Sequence, residues 1–358
     1  MNGLLSMGSV ARWTSQEVAI DMGTANTLFY LKGRGIVLNE PSLVVMEDTM
    51  GGAEPKLRAF GADAREMIGR TPRNLRLVRP LQRGMIADFS ATQKMLGCFL
   101  SKSLRRRLWR ARVMISIPAV ATSVEARAFR EVVANLPGVR SVSTVPDPLA
   151  GAHGVGLPIG SPTGCMLVDI GAGVTECTVL SRGGIVITRS IPVAGNAIDE
   201  RILSHLRGKF NLMIGDRTAE QLKIKVGSAK LLDEQLSVMV TGHSLSSGLP
   251  RTIMVQTNEI YDAIAGVVGM IVELVHRVLE VTPPELSADI FDRGIALTGG
   301  GSLLRNLSVV VSERMGVPVS LAAEPMTSVA CGAAELMGDR TQEHQKPPLA
   351  RIARETVQ

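Results

Sequence analysis

The chain has 358 residues, which is more than one hydrophobic core usually serves, so two domains are expected. Hydrophobic residues make up 45% and charged residues 20%, a globular composition that excludes an intrinsically disordered chain. The net charge is +6 and unevenly spread, because residues 102–112 carry six cations and no acid. That run favours an anionic partner, either a lipid headgroup or a nucleic acid.

No segment is predicted to cross a bilayer. The longest apolar run, residues 263–272, has ten residues, whereas a span needs about 20. The N-terminus lacks the basic and fully apolar regions of a signal peptide. Four cysteines without metal-ligand spacing are predicted to be reduced, mostly buried thiols of a cytoplasmic protein: Cys98, Cys165, Cys177 and Cys331.

A weak internal repeat is the first organisational signal along the chain. The stretch "AIDMGTANTLFYLKGRGIVLNEPS" near the start is echoed by "LVDIGAGVTECTVLSRGGIVITRS" in the middle. Each reads as an apolar strand, Asp-x-Gly, a polar turn, a second strand and a "GIV" strand. Alternating apolar residues broken by glycine are typical of β-hairpins. The repeat predicts two related lobes that each begin with a hairpin, although two unrelated glycine-containing hairpins remain an alternative.

Mixed helices and strands are predicted around and after these hairpins. Residues 112–118 form a buried strand, and residues 122–136 form a helix with a Ser/Thr start. A strand, a turn and a small-residue helix follow over residues 139–158. Residues 258–286 form a long helix that a proline pair stops. Residues 294–316 read as a strand, a glycine-rich turn and a helix, and the tail from about Gly338 is predicted to fray.

Three glycine-bearing turns, "DMGTANT", "DIGAGVT" and "TGGGSLL", each follow a strand. Glycine lets backbone N–H groups approach an anion closely, so such turns can hold phosphate. In the third, the glycines are predicted to open a helix, whose N-terminus also favours an anion. No Walker A loop and no convincing dinucleotide fingerprint occurs. The phosphates are therefore expected to be held from two sides, one lobe each.

Asp21 and Asp169 end the strands that precede the two repeated turns. Paired carboxylates facing phosphates suit Mg²⁺, either directly or through water. The alternative is that each aspartate only stabilises its turn.

At these residues the chain resembles the MreB/Mbl family of bacterial actin homologues. The resemblance runs from about residue 18 to residue 337 and is most specific in "NEPS", "GRTP" and "PPELSADIFDRGIALTGGG". It implies an α/β, actin-like (RNase H-like) fold with two lobes, four subdomains and a nucleotide cleft between the lobes. It also implies an N-terminal membrane segment (1–16), lobe I (17–150 plus about 326–340, with subdomain IB about 42–80), lobe II (151–325, with subdomain IIB about 192–258) and a flexible tail (341–358).

The resemblance further implies ATP and Mg²⁺ as ligands. By this resemblance, Asp21, Asp147 and Asp169 are assigned to catalysis. Asp21 and Asp169 would also hold the metal through water. Without the resemblance, Glu220 and Lys223 at helical spacing would be interpreted as an ordinary surface ion pair. The nucleotide-binding residues implied by the family are Gly23, Thr24, Ala25, Asn26, Gly171, Ala172, Gly173, Glu220, Lys223, Gly299, Gly300, Gly301 and Ser302.

Two departures from the family pattern bear on hydrolysis. Val174 stands where the family has a threonine near the γ-phosphate, and valine can neither donate nor accept a hydrogen bond. Asp147 stands where the family has a glutamate that orients water, and it is one methylene shorter. Misplacing a positioning group by about 1 Å can cost about 100-fold in rate. The sequence therefore predicts ATP binding with slow hydrolysis, or none.

The family lies on the inner face of the cell membrane, so membrane contact is also implied. Leu104, Leu108 and Trp109 lie among the arginines of the basic run, and Leu4 and Leu5 could add an apolar foot. A basic, tryptophan-bearing amphipathic segment suits an anionic headgroup layer. A solvated basic helix that packs its leucines on the core is an equal alternative. Nucleic acid is not expected as a partner, because no binding motif occurs.

The function implied is that of an ATP-binding cytoskeletal protein. It would polymerise with itself on the cytoplasmic membrane surface, organise cell-wall synthesis with elongation proteins, and determine rod shape. One alternative is a non-hydrolysing paralogue that co-assembles with or regulates another MreB. A small-molecule kinase of the same superfold is a further alternative, but it would need a separate general base that the sequence does not supply.

Overall fold

The computed structural model describes residues 16–48, 54–103 and 110–338. Two five-stranded sheets organise these residues, one in each half of the chain. We call the half built on the first sheet lobe I and the half built on the second sheet lobe II. The predicted membrane residues Leu4, Leu5, Leu104, Leu108 and Trp109 lie outside the described residues, as does the predicted tail.

Lobe I carries the first sheet, a small three-stranded sheet and a two-stranded hairpin. Its strands are β1 (Glu17–Met22), β2 (Asn26–Leu31), β3 (Gly35–Pro41), β4 (Val44–Glu47), β5 (Lys56–Phe60), β6 (Leu75–Val78), β7 (Leu81–Gln82), β8 (Met85–Ile86), β9 (Ala111–Ile117) and β10 (Val139–Pro146). Its helices are α1 (Gly61–Glu66), α2 (Phe89–Ser103), α3 (Ser123–Ala134) and α4 (Asp147–Val155). Three phenylalanines fill the core on one side of the sheet and are fully buried: Phe29, Phe99 and Phe129.

Lobe II carries the second sheet and another three-stranded sheet. Its strands are β11 (Cys165–Ile170), β12 (Thr175–Ser181), β13 (Gly184–Ile191), β14 (Leu212–Met213), β15 (Ser237–Ser244), β16 (Pro250–Gln256), β17 (Ile295–Thr298) and β18 (Val319–Leu321). Its helices are α5 (Gly195–Phe210), α6 (Asp216–Val226), α7 (Thr257–Glu280), α8 (Pro284–Arg293) and α9 (Leu307–Met315), and a 3-10 helix spans Gly300–Leu303. The last helix of the described chain is α10 (Ser328–Gly338).

The two sheets share one topology. Lobe I has the order β3-β2-β1-β9-β10, and lobe II has the order β13-β12-β11-β17-β18. In each sheet, the first three strands in this order pair antiparallel with their neighbours, as two consecutive hairpins. The last two strands pair in parallel and extend the sheet. The prediction that the sequence repeat marks two lobes beginning with hairpins is confirmed. The proposed subdomain boundaries stay predictions.

Local signals place the main helices where the sequence predicted them. Thr122 and Glu125 form a reciprocal capping box at the start of α3, which satisfies N–H groups that the first helical turn leaves free. The long helix α7 ends at Glu280, and α8 begins at Pro284. Proline fits that first helical position because its missing N–H would be unpaired there anyway.

Helices α4 and α10 join the two lobes. Ala150 of α4 packs with Ala19 and Ala333 on the lobe I sheet, while Ala152 packs against strands of the lobe II sheet. The helices cross so closely that a Cβ at Gly332 would lie 1.8 Å from the Ala150 carbonyl oxygen. Glycine is therefore required at this crossing.

Two further sequence expectations can be compared with the described residues. Within those ranges no helix is long and apolar enough to span a membrane. All four cysteines are free thiols, but only Cys165 and Cys177 are buried, while Cys98 and Cys331 are half-buried. Burial of the thiols is thus less complete than predicted.

Candidate functional site

The first predicted phosphate turn connects β1 to β2 and is held from beneath by Ser42. The Ser42 hydroxyl donates to the Gly23 carbonyl at 2.7 Å, and the Ser42 N–H donates to the Ala25 carbonyl at 2.8 Å. A Cβ at Gly23 would lie 2.7 Å from the Asn26 carbonyl oxygen, so the turn is too tight for a side chain there. Ala25 is exposed, and the Asn26 side-chain amide donates a hydrogen bond to Asn39 Oδ1 at 2.6 Å.

The second predicted phosphate turn connects β11 to β12. The Gly171 N–H donates to the Val174 carbonyl at 3.0 Å, which closes the turn. The first N–H groups of α5 donate to carbonyls of the same turn, from Gly195 to Gly171 and from Asn196 to Ala172. The carbonyls of the turn are thereby directed toward α5.

The two repeated turns meet in space. A Cβ at Gly173 would lie 2.8 Å from the Thr24 hydroxyl oxygen and 3.1 Å from the Arg83 Cα. The Thr24 hydroxyl also accepts a 3.0 Å hydrogen bond from the Gly84 N–H. The turn between β7 and β8, which holds Arg83 and Gly84, thus forms a third wall. Sequence reasoning missed it, although its Gln-Arg-Gly composition is a signal for a tight turn.

The third predicted turn lies against the end of β11. Gly299 has a φ of 80°, and a Cβ there would lie 2.2 Å from Asp169 Oδ1 and 2.4 Å from the Ile170 carbonyl oxygen. The glycines enter a four-residue 3-10 helix, while α9 begins only at Leu307. The helix that these glycines were predicted to open is thus a single 3-10 turn, and the α-helix follows it as a separate element. Ser302 is buried and its hydroxyl donates to the Gly299 carbonyl at 2.6 Å.

Four acidic side chains cluster beneath the turns and come from both lobes. Asp21 lies on β1, Asp147 opens α4, Asp169 lies near the end of β11, and Glu176 lies on β12. The Ser116 hydroxyl donates to Asp21 Oδ1 at 3.2 Å. Sequence reasoning missed Glu176, although it lies opposite Asp169 in the β11–β12 hairpin that the sequence predicted.

Burial raises the pKa of every acid in this cluster, and a neighbouring carboxylate adds to the shift at Asp147, Asp169 and Glu176. Burial raises the pKa of Asp21 to about 6, and the Ser116 hydrogen bond opposes that shift. Burial and then the Asp21 charge raise the pKa of Asp169 to about 7. Burial and then Asp169 raise the pKa of Glu176 to about 8. Burial, followed by repulsion from Glu176, raises the pKa of Asp147 well above its usual range.

The chemistry of this cluster suits Mg²⁺, although its acids do not form a preformed metal site. Asp147 Oδ1 is buried and has no hydrogen-bond partner among the described residues. Carboxylate oxygens are the donors that Mg²⁺ prefers, and the ion usually keeps several waters. In the described ranges no group of three or more His, Cys, Asp or Glu residues is arranged to hold a metal directly.

Helix α6 places Glu220 and Lys223 at the rim of the site, but each has a separate partner. The Lys223 ammonium donates to Asp199 Oδ2 at 2.9 Å and to the Gly195 carbonyl at 3.2 Å. Glu220 accepts a 2.5 Å bond from Arg65 of lobe I. A cavity of about 510 Å³ opens beside it, between Asn26 of the first turn and Glu220. Contrary to the alternative interpretation, Glu220 and Lys223 therefore do not pair with each other.

Val174 leaves the second turn without a free side-chain hydroxyl. Its side chain lies beside the β7–β8 turn, because a Cβ at Gly84 would be 3.3 Å from Val174 Cγ2. The next hydroxyl, that of Thr175, is buried and donates to the Val193 carbonyl at 2.7 Å. Thr175 therefore does not replace the hydroxyl that position 174 lacks.

Comparison with solved structures defines the class. The structure of MreB5 from Spiroplasma citri bound to AMPPNP matches with a TM-score of 0.86 and 34% sequence identity, covering 91% of this chain and 96% of that chain. Two lobes of one topology, with three turns converging between them, have an actin-like arrangement. This chain is an actin-like α/β protein, as predicted.

Sequence comparison places it further. The model of the MreB/Mbl protein family matches residues 15–345. The cell shape-determining protein MreB of Escherichia coli strain K12 is 44% identical over 320 residues, which cover 89% of this chain and 92% of that protein. The cell shape-determining protein Mbl of Bacillus subtilis strain 168 is 44% identical over 319 residues, with 89% and 94% covered. The chain belongs to the MreB/Mbl family, and the kinase and regulatory-paralogue alternatives are not favoured.

Proposed function

We propose that this chain is an ATP-binding cytoskeletal protein that polymerises with itself on the inner face of the cell membrane and helps determine rod shape. One observation carries the nucleotide part. Turns from both lobes meet at Gly173 and Thr24, above a cluster of four acids. Glycine turns with close backbone approach suit phosphate oxygens. MreB5, a relative of the same family, binds AMPPNP.

The phosphates would be held by Gly23, Thr24, Ala25 and Asn26 from lobe I and by Gly171, Ala172 and Gly173 from lobe II. The nucleoside would lie toward Glu220 and Lys223 and against the third turn, from Gly299 to Ser302. Mg²⁺, held through water by Asp21 and Asp169, would neutralise phosphate charge. Asp147, whose Oδ1 is buried and has no hydrogen-bond partner within the described part of the chain, is our candidate for orienting the attacking water.

Hydrolysis is proposed to be slow. Val174 offers no hydrogen-bonding group, and the Thr175 hydroxyl is committed to Val193. Asp147 begins α4 and has one methylene fewer than the family glutamate. Nucleotide would then act mainly by favouring one conformation of the two lobes, through its differential affinity for the closed form.

Polymerisation, membrane contact and cell-wall partners are proposed from membership of the family. Head-to-tail contacts that do not close into a ring produce filaments. The partners would be further copies of this chain, other MreB paralogues, anionic lipid and the proteins of wall elongation. Contact with lipid would use Leu4, Leu5, Leu104, Leu108 and Trp109.

Negative-stain microscopy on an anionic lipid monolayer tests the proposal. We expect filaments with ATP and Mg²⁺, and fewer or none without nucleotide. A monolayer of neutral lipid serves as the control and should recruit less protein. Absence of filaments on anionic lipid, with and without ATP, would contradict the cytoskeletal proposal.

A further inference from the structure

Helix α6 presents two carboxylates toward lobe I. Asp216 and Glu220 are four residues apart, so they project from the same face of the helix. The facing side of the cleft belongs to α1 and to the segment between β6 and β7. Each of these elements contributes one arginine, Arg65 and Arg79 respectively.

Two ion pairs cross from lobe I to this helix. Arg65 Nη2 lies 2.5 Å from Glu220 Oε2, and Arg79 Nη2 lies 3.3 Å from Asp216 Oδ2. All four side chains are partly open to solvent, the most exposed being Asp216 at 61%. Both pairs are therefore accessible to salt, and both must break if α6 moves away from lobe I.

The same helix is tied to the second phosphate turn. Lys223, one turn beyond Glu220, is fixed by Asp199 and by the Gly195 carbonyl. The Gly195 N–H in turn donates to the Gly171 carbonyl at 3.2 Å. A displacement of α6 would thus be transmitted to the turn that is proposed to hold phosphate.

We propose that Arg65–Glu220 and Arg79–Asp216 form an ionic clasp that holds the mouth of the cleft closed and slows nucleotide release. The inference rests on the proposed function, since it assigns the regulation of that same site. Arg65 and Arg79 act as positioning residues. Arg65 fixes Glu220 at the rim of the cavity, and Arg79 holds the first turn of α6 against lobe I.

The effect of the clasp on nucleotide release should be small for each ion pair and should depend on salt. Removing one exposed ion pair changes an equilibrium constant or a rate constant by only about two- to fivefold. Two pairs on one helix oppose the same opening motion, so their effects on release should combine. Mobile ions screen exposed charges over about 10 Å at 0.1 M salt. Release from the wild type should therefore accelerate as salt is added.

The decisive measurement is stopped-flow release of a fluorescent ATP analogue from the full-length protein with Mg²⁺. We expect Arg79→Ala and Asp216→Ala each to accelerate release about two- to fivefold at low salt. The double charge swap, Arg79→Asp with Asp216→Arg, should restore slow release. Arg277→Ala, which removes an exposed pair with Glu273 inside α7, is the matched control and should leave release unchanged.

Hydrogen exchange of the nucleotide-free protein separates failure of the clasp from failure of nucleotide binding. Arg79→Ala should raise amide exchange in α1 and α6, and the charge swap should reverse the change. If the wild type binds no nucleotide, the proposed function fails while exchange still tests the clasp. The clasp proposal would be contradicted if folded Arg79→Ala and Asp216→Ala proteins released nucleotide and exchanged amides at wild-type rates. It would also be contradicted if the charge swap behaved like the single variants.

Discussion

Single side chains decide whether the cleft can hydrolyse what it is proposed to bind. Asp21, Asp147, Asp169 and Glu176 supply more carboxylates than a simple phosphate cradle needs. Burial raises all four pKa values, and neighbouring carboxylates raise three of them further. Val174 removes the one hydroxyl that the second turn could direct at a phosphate. The site thus keeps its carboxyl groups, while position 174 of the second turn offers no hydrogen-bonding group.

Val174→Thr should accelerate phosphate release from ATP by at least about tenfold, because a well-placed hydrogen-bonding or proton-transferring group contributes strongly to such reactions. The rate is measured with purified protein, Mg²⁺ and anionic liposomes. Val186→Thr, at an exposed position on β13, is the matched control. A variant no faster than the wild type, also when combined with Asp147→Glu, would show that these two positions do not limit hydrolysis.

Glu176→Gln should change how stability depends on pH. The pKa of Glu176 is raised to about 8 in the folded protein, against about 4.3 when unfolded. The folded state therefore binds the proton more tightly, and the stability that this gives is lost as pH rises from about 4 through 8.

Urea unfolding of the nucleotide-free protein between pH 5 and 8.5 measures this effect. The variant should gain stability relative to the wild type as pH rises, since glutamine does not ionise. Glu313→Gln, at an exposed glutamate, should run parallel to the wild type. A constant difference between Glu176→Gln and the wild type would show that Glu176 does not hold its proton through this range.

At the scale of elements, the important feature is the crossing of α4 and α10. Asp147 opens α4, so this helix carries one acid of the cluster while its glycines pack on α10. A Cβ at Gly154 would lie 1.9 Å from the Ser328 carbonyl oxygen, and one at Gly332 would lie 1.8 Å from that of Ala150. Because both obstacles are backbone atoms, no side-chain rotation can relieve the clash. The helix pair sets where Asp147 lies relative to both sheets.

Gly332→Ala should therefore destabilise the protein by about 1–3 kcal/mol, the usual cost of overpacking. Gly208→Ala in α5 is the matched control, since a Cβ there meets no atom within 4 Å. That change should be neutral or stabilising, because alanine favours helix by up to about 1 kcal/mol. The free energy of unfolding measures both, and equal values for the two variants would contradict the close crossing.

At the scale of the whole molecule, two similar sheets are linked at one end by α4 and α10 and meet at the cleft through turns and ion pairs. The hydrophobic cores of the lobes are separate clusters, so much of the contact that joins the lobes is polar or backbone. A ligand that binds turns from both lobes would add to this contact. Nucleotide is expected to stabilise the molecule as a unit.

An unreactive ATP analogue with Mg²⁺ should raise the free energy of unfolding by about 2.7 kcal/mol at 100 times its dissociation constant. Gly173→Ala should reduce this gain, because the new methyl group would press on Thr24 at the junction of the two turns. Gly160→Ala, where a Cβ meets nothing within 4 Å, should keep it. Each shift is measured by thermal unfolding against the same variant without nucleotide. An equal gain in both variants would contradict a site at this junction.

The sequence by itself determined the repeat, the hairpins, the capped helix α3, the proline boundary after α7 and the family. These follow from local rules, since residue period, glycine turns and capping residues act over a few positions of chain. The repeated turns also predicted that anions are held from two sides. Motifs were sufficient for the class of protein because each is short and contiguous.

Only the tertiary structure decided which partners these residues have. Glu176 joins the acids because β12 pairs with β11, Lys223 is engaged by Asp199 of another helix, and Glu220 is engaged by Arg65 of the other lobe. The glycines of the third turn lie against Asp169 and open only a four-residue 3-10 helix. The partners of Glu220 and Lys223 lie far from them in sequence, and burial and charge act through space, so no local pattern could have specified these contacts.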